Sequence, residues 1–170
     1  IVNEYNYTRP ADILTHLNKS ISNTLKQHVD DSKIRDGMDV AICSIDLENN
    51  KLEFAGAFSP LFILRNNEVL KFKGDKHPIG NFVGVEEYEF TNNEIDLLPD
   101  DKIYIFSDGF VDQFGGPNGK KLLSKHLREI LSSIQNLSMR EQEKRLNEIF
   151  NEWKGNTTQV DDVLVIGIRV

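Results

Sequence analysis

Lys102-Ile103-Tyr104-Ile105-Phe106-Ser107-Asp108-Gly109-Phe110-Val111-Asp112 is the stretch on which the reading of this chain turns. Its first five residues are mostly apolar and predict a short buried strand, which Ser107-Asp108-Gly109 ends. A carboxylate at the end of such a strand is held by a rigid element. Gly109 beside it lets backbone or solvent come close, and oxygen donors so placed suit a hard cation such as Mg²⁺ or Mn²⁺. A second acidic pair, Asp161-Asp162, stands just before Val163-Leu164-Val165, another apolar run. Taken singly, each aspartate reads best as a turn or surface residue. The combination of Asp108, Asp112, Asp161 and Asp162 at two strand ends is what marks a candidate cation site.

Outward from this stretch, the chain alternates helix and strand signals. Ile13, Leu14, Leu17, Ile21, Leu25 and Val29 recur at helical spacing, which predicts a helix over residues 9–29 with Thr8 as cap and Pro10 in the first turn. Residues 38–46 read as a strand buried on both faces. Asn49-Asn50 and Asn66-Asn67 suit tight turns, so residues 42–57 and 61–72 each predict a hairpin, and together a four-stranded antiparallel meander. A long loop over residues 73–84 precedes a strand over 87–97. Beyond residue 112, helices are expected over 122–134 and 139–153, with Gly155 as a stop, and a terminal strand over 163–170. This order makes residues 1–170 a single α+β domain, with antiparallel sheet and helices packed on it.

Composition narrows the function. Across 170 residues, 20 Lys+Arg stand against 27 Asp+Glu, a formal charge of −7 that repels nucleic-acid backbones and anionic lipid. Cys43 is the only cysteine, which excludes an internal disulfide and a thiolate zinc cluster and fits a cytoplasmic setting. In its strand context Cys43 reads as a small apolar residue rather than a nucleophile. The longest apolar runs fall well short of the roughly 20 residues of a membrane span, and no direct membrane contact is expected. Ile1-Val2-Asn3-Glu4-Tyr5 has no signal-peptide pattern, and the expectation is that the chain starts inside a longer protein. Gly115-Gly116-Pro117-Asn118-Gly119-Lys120-Lys121 fails the spacing of a phosphate loop and reads as a solvated basic turn. The four histidines lack ligand spacing, and Trp153 reads as a packing anchor.

Three stretches carry a resemblance: residues 54–61 (Phe-Ala-Gly-Ala-Phe-Ser-Pro-Leu) with Pro78-Ile79-Gly80, residues 104–112 with their SDGxxD pattern, and Gln159-Val160-Asp161-Asp162-Val163. In their order and separation they resemble the SpoIIE-like, sporulation-type branch of the metal-dependent PP2C (PPM) serine phosphatases. The resemblance implies an αββα sandwich of two antiparallel sheets flanked by helices, with a two-metal centre of Mn²⁺ or Mg²⁺. It implies that Asp108 and Asp161 are catalytic metal ligands, that Asp112 helps hold a third metal, that Asp162 supports, and that Gly109 belongs to the site. The resemblance further implies that phosphoserine or phosphothreonine is hydrolysed in line by a metal-activated water, without a phosphoenzyme.

Two departures from the family pattern stand out. An N-terminal strand ending in Asp-Gly, whose aspartate bridges both metals, has no counterpart in this sequence, so the first strands of the fold and the bridging ligand are expected upstream in the full protein. The chain alone is then expected to be weakly active or inactive. Gly56-Ala57 also stands where eukaryotic-like members carry Gly-Asp, as in the SpoIIE-like branch. The implied substrate is a phosphorylated regulatory protein of the anti-sigma antagonist type, with an upstream sensor or regulatory domain in the same bacterial signalling polypeptide. The alternative is a catalytically incomplete module that binds a phosphoprotein without turnover.

Overall fold

A computed structural model describes residues 6–27, 37–80 and 88–170. The chain forms two compact units, each assembled from two stretches: residues 1–61 with 72–97, and residues 62–71 with 98–170. The α+β class and the antiparallel sheets expected from the sequence are those found.

The first unit opens on helix α1 (Pro10–Gln27). Proline suits this position because the first helical N–H has no partner to lose. Arg9 supplies the carbonyl that accepts the first helical hydrogen bond, from Ile13 N at 3.1 Å, so Arg9 and not Thr8 occupies the capping position. Residues 28 and 29, the expected end of the helix, lie outside the described residues. Ala11 and Leu14 are buried against Ala55, Ala57, Ile79 and Phe90, with Leu17 and Ile21 packed alongside. The stripe recurs every three or four residues, as a helix lying on a sheet requires.

That sheet has three antiparallel strands in the order β2-β3-β7, where β2 is Val40–Asp46, β3 is Lys51–Ala57 and β7 is Asn93–Asp96. A separate short pair joins β1 (Gly37–Met38) to β6 (Ile79–Gly80). Asn18 on α1 accepts from Gly80 N at 3.0 Å and Ser22 donates to Gly80 O at 2.9 Å, tying the helix to that pair. The reading of residues 38–46 as one strand buried on both faces is corrected: the strand breaks at Asp39, and β2, at the edge of its sheet among the described residues, has residues that are half-buried or exposed. Continuous apolar character reports what a strand can bury, not how many neighbours it has. The strand expected over 87–97 contracts to Asn93–Asp96, with Glu87 outside the described residues.

The expected four-stranded meander is also corrected. Strand β3 pairs with β2 and β7, whereas β4 (Leu61–Arg65) pairs with β8 (Lys102–Phe106) and β5 (Glu68–Phe72) in another sheet. The chain leaves one ladder for the other at Phe58-Ser59-Pro60, where Phe58 takes φ 54° and Pro60 has no N–H to offer a ladder. The turn at Asn66-Asn67 is as expected, with φ 48° and 67°, the left-handed pair that a type I′ turn requires.

The second unit is built on a four-stranded antiparallel sheet in the order β11-β8-β4-β5, with β11 at Val165–Arg169. Alternate residues Phe62, Leu64, Tyr104 and Phe106 point to one face and are buried with Leu127, Leu131, Leu146 and Phe150. The last four come from α3 (Leu123–Ser133) and α4 (Met139–Lys154). Between the strands and these helices lie a one-turn helix α2 (Asp108–Asp112) and a small hairpin of β9 (Phe114–Gly115) and β10 (Lys120–Lys121), so the basic turn folds back on itself. Ser138 and Glu141 form a reciprocal capping box that starts α4, and Gly155 stops it at φ 54°. Two buried polar contacts lock the sheet. Arg65 meets Asp101, only 1% exposed, through Nε at 2.9 Å and a second nitrogen at 2.5 Å, and the Tyr104 hydroxyl donates to Gln142 at 2.5 Å. Burial pushes the Tyr104 phenol up to about 12, so it stays a neutral donor. At the edge, β11 leaves Ile166 and Ile168 40% and 42% exposed.

Candidate metal centre

Strand β8 delivers Ser107 and Asp108 at its end, and α2 begins there. Ser107 precedes a helix in extended conformation, as a capping residue does, yet its side chain makes no cap. The Ser107 hydroxyl instead donates to Asp162 O at 2.8 Å and accepts from Leu164 N at 2.9 Å, while Ser107 N donates to Leu164 O at 2.9 Å. Three hydrogen bonds thus stitch the end of β8 to the segment entering β11. Gly109 completes the approach: a Cβ there would stand 2.3 Å from Asp162 O and 3.2 Å from the Asp161 carbonyl carbon. No residue other than glycine lets these two backbones touch. The consequence is that Asp108 and the Asp161-Asp162 pair, 53 residues apart in sequence, share one end of the sheet with exposed carboxylates.

The family described as Stage II sporulation protein E (SpoIIE) matches residues 3–170. This chain belongs to the SpoIIE family of PP2C-type phosphatase domains. Among solved structures, the SiaA-PP2C domain of Pseudomonas aeruginosa is similar at 25% identity and a TM-score of 0.86, over 99% of this chain and 64% of that one. The phosphatase domain of SpoIIE from Bacillus subtilis, presoaked with Mn, superposes with a TM-score of 0.59 at 18% identity, over 98% of this chain and 76% of that one. The RsbU and RsbW domains of Rv1364c from Mycobacterium tuberculosis give 0.67 at 15% identity, over 99% and 44%. The last two likenesses carry the fold alone. A search of curated proteins finds no match.

The donors of this SpoIIE domain fit a hard divalent cation. Asp108 and Asp161 offer exposed carboxylate oxygens on backbones pinned by Ser107 and Gly109, and neither forms an ion pair among the described residues. The Asp161 carboxylate is oriented by accepting Asp162 N at 2.7 Å. Asp162 contributes to the stitching through its carbonyl. Asp112, by contrast, already has a cation: Lys121 Nζ lies 2.6 Å from its carboxylate. Among the described residues, no group of three or more His, Cys, Asp or Glu gathers at metal-binding distance. The described residues bring exposed carboxylates to this sheet end without closing three of them on one point.

Two features escaped the sequence reading. Ser107 was seen as the end of a strand, but its bridging role depends on a segment 55 residues away. Gln113, directly after Asp112, is fully buried and hydrogen-bonds residues 157–160. A polar residue ending a helical turn looks solvated unless its distant partner is known. Cys43, His77 and Trp153, read from sequence as packing residues, have structural surroundings. Cys43 is half-buried, and burial pushes its thiol up to about 11, far from a nucleophile. His77 stacks on Tyr88 with ring centroids 4.0 Å apart. Trp153 anchors the β9–β10 hairpin, donating to Gln113 O at 3.1 Å and accepting from Gly116 N at 2.7 Å. Among the described residues, no helix is long and apolar enough to cross a membrane.

Proposed function

We propose that this chain is the larger, C-terminal part of one Mn²⁺- or Mg²⁺-dependent protein-serine/threonine phosphatase domain, acting as the output module of a bacterial signalling protein. The observation that carries the reading is the Ser107–Gly109 junction, which joins Asp108 to Asp161 across the end of the β8-β11 ladder. Asp108 and Asp161 would hold the metal, with Asp162 supporting through its backbone. When bound, a divalent cation supplies Lewis-acid activation of water and neutralises charge on the transferring phosphoryl group. The chain's own part is orientation: Ser107 and Gly109 fix the two carboxylates, and the hydrogen bond from Asp162 N aims one Asp161 oxygen.

The bridging ligand is proposed to come from an upstream strand ending in Asp-Gly. Support comes from the half-exposed Ile166 and Ile168 on edge strand β11 and from the length of the SiaA-PP2C domain, of which this chain spans 64%. The proposed substrate is a phosphoserine on a small regulatory protein of the anti-sigma antagonist type, under the control of an upstream sensor in the same polypeptide. A second reading, a binding module without turnover, draws on the absence of a three-ligand cluster among the described residues.

The deciding experiment measures Mn²⁺-dependent hydrolysis of a phosphoserine protein and of p-nitrophenyl phosphate by this chain, by the full-length protein and by full-length Asp108→Asn. Hydrolysis by the full-length protein, lost by at least about a hundredfold in Asp108→Asn, is the expected result. A folded full-length protein that binds a phosphoprotein and hydrolyses neither substrate would establish the binding module instead.

A further inference from the structure

Gln113 is fully buried and polar, and its side chain is tied to the segment leading into Asp161. Its carboxamide nitrogen donates to Thr158 O at 3.0 Å, to Thr157 Oγ1 at 3.2 Å and to Phe114 O at 2.9 Å, while its oxygen accepts Val160 N at 3.3 Å. A carboxamide offers the same donor and acceptor as a peptide group. Here it pairs with residues i and i+2 of the 157–160 segment, as a neighbouring strand would. Among the described residues that segment has no strand partner and its side chains are exposed, yet the next residue is Asp161. The Gln113 main chain is fixed in turn, since its carbonyl accepts from Trp153 Nε1 at 3.1 Å and from Leu122 N at 3.0 Å. Asp108 and Gln113 sit at opposite ends of the one-turn helix α2, so one short rigid element sets one metal ligand directly and the approach to the other through hydrogen bonds.

We infer that Gln113 is a positioning residue for the metal centre: its buried carboxamide stands in for a strand and holds residues 157–160 so that Asp161 is presented beside Asp108. This rests on the phosphatase reading above and adds to it a residue that touches neither metal nor substrate. Ser107 and Gly109 fix the segment on the far side of Asp161, and Gln113 fixes the near side, so the ligand is clamped from both directions. Residues that orient metal ligands typically contribute about 10- to 100-fold in affinity.

The test is Mn²⁺ titration calorimetry on the full-length protein as wild type, Gln113→Met and Leu127→Ala, with hydrogen exchange read on the metal-free forms. Met keeps the length of the side chain and removes both hydrogen-bonding functions; Leu127, fully buried in the α3 core, controls for stability loss alone. Gln113→Met should weaken Mn²⁺ binding about 10- to 100-fold and lower amide protection over residues 158–162, while Leu127→Ala weakens overall stability with Mn²⁺ affinity retained. At saturating Mn²⁺, Gln113→Met should recover kcat, because the ligand itself is intact. If Gln113→Met does not fold, Thr157→Val, which removes one exposed partner of the carboxamide along with that hydroxyl's bonds to Phe114 O and Lys154 O, should show a smaller loss of affinity in the same direction. Wild-type Mn²⁺ affinity in a folded Gln113→Met, or in Thr157→Val where only that variant folds, would overturn the inference and leave the phosphatase reading intact. A wild-type protein that binds no Mn²⁺ would overturn both.

Discussion

Two corners of this molecule, one in each unit, use the same backbone device for different ends. At the end of β3, Gly56 lets the chain run against Ser59 and Gly74: a Cβ on Gly56 would stand 2.2 Å from Ser59 O and 3.1 Å from Gly74 Cα. Asp75 N donates to Gly56 O and Phe58 N to Asp75 O, both at 2.8 Å, so two backbones are bonded together. At the end of β8, Gly109 does the same against Asp162, with a serine again beside the turn. The first corner is followed by alanine and phenylalanine, and its result is packing. The second carries Asp108 before the glycine and meets Asp161-Asp162, and its result is three exposed carboxylates at one sheet end. Close backbone approach is therefore general architecture, and the acids at the second corner are what set it apart.

Alanine at each glycine breaks the comparison most forcefully. Gly56→Ala and Gly109→Ala both force a methyl into a carbonyl, and each should lose about 1–3 kcal/mol of stability, read by urea unfolding. Only Gly109→Ala should also weaken Mn²⁺ binding in the full-length protein, by about tenfold or more, since it pushes the Asp161-Asp162 segment away from Asp108. Equal Mn²⁺ affinities in the two variants would show that the second corner is packing as well.

The same contrast explains what could be read from sequence. Local signals were legible: the Asn66-Asn67 turn, the helix starting at Met139 and the strand over 102–106 all depend on residues within a few positions of one another. The aspartates stood out because SDGxxD and QxDD each join acids to an apolar run. Partnership between distant segments was not legible. Nothing near Phe58-Ser59-Pro60 says that β4 leaves the ladder of β3, because that depends on β4 finding β8, some 40 residues on. Nor does the sequence around Val40 announce an edge strand. Gln113 was hidden for the same reason, as its partners lie 44 to 47 residues away.

Lys121→Met sharpens the second corner with a smaller effect. Lys121 neutralises Asp112, with both side chains about two-fifths exposed, so breaking the pair should lower stability by only about 0.2–1 kcal/mol. If Asp112 takes a metal at all, as the family resemblance implies, it must release Lys121 to do so. The variant should then bind an additional, weak Mn²⁺ that the wild type binds less well, seen as a second event in calorimetry of the full-length protein. An unchanged titration would assign Asp112 to holding the β9–β10 hairpin rather than to metal.

Acid titration reaches carboxylates that hold turns and caps away from that corner. Asp46 is held below the ordinary carboxylate range, first by the side chain of Asn49 and then by backbone hydrogen bonds in the β2–β3 loop. Glu141 is held low by the side chain and backbone of Ser138 at the start of α4. In both, the folded state favours the charged form, so the stabilisation is complete above the ordinary carboxylate range and is lost as pH falls through the depressed folded values. Both groups lie at the surface, so the effect is small. Urea midpoints should be level from pH 7 to about 5 and then decline, with Asp46→Asn and Glu141→Gln each flattening the decline while lowering the midpoint at pH 7. A steeper decline in either variant would reverse the sign of this linkage and show that these carboxylates are better protonated than charged in the fold.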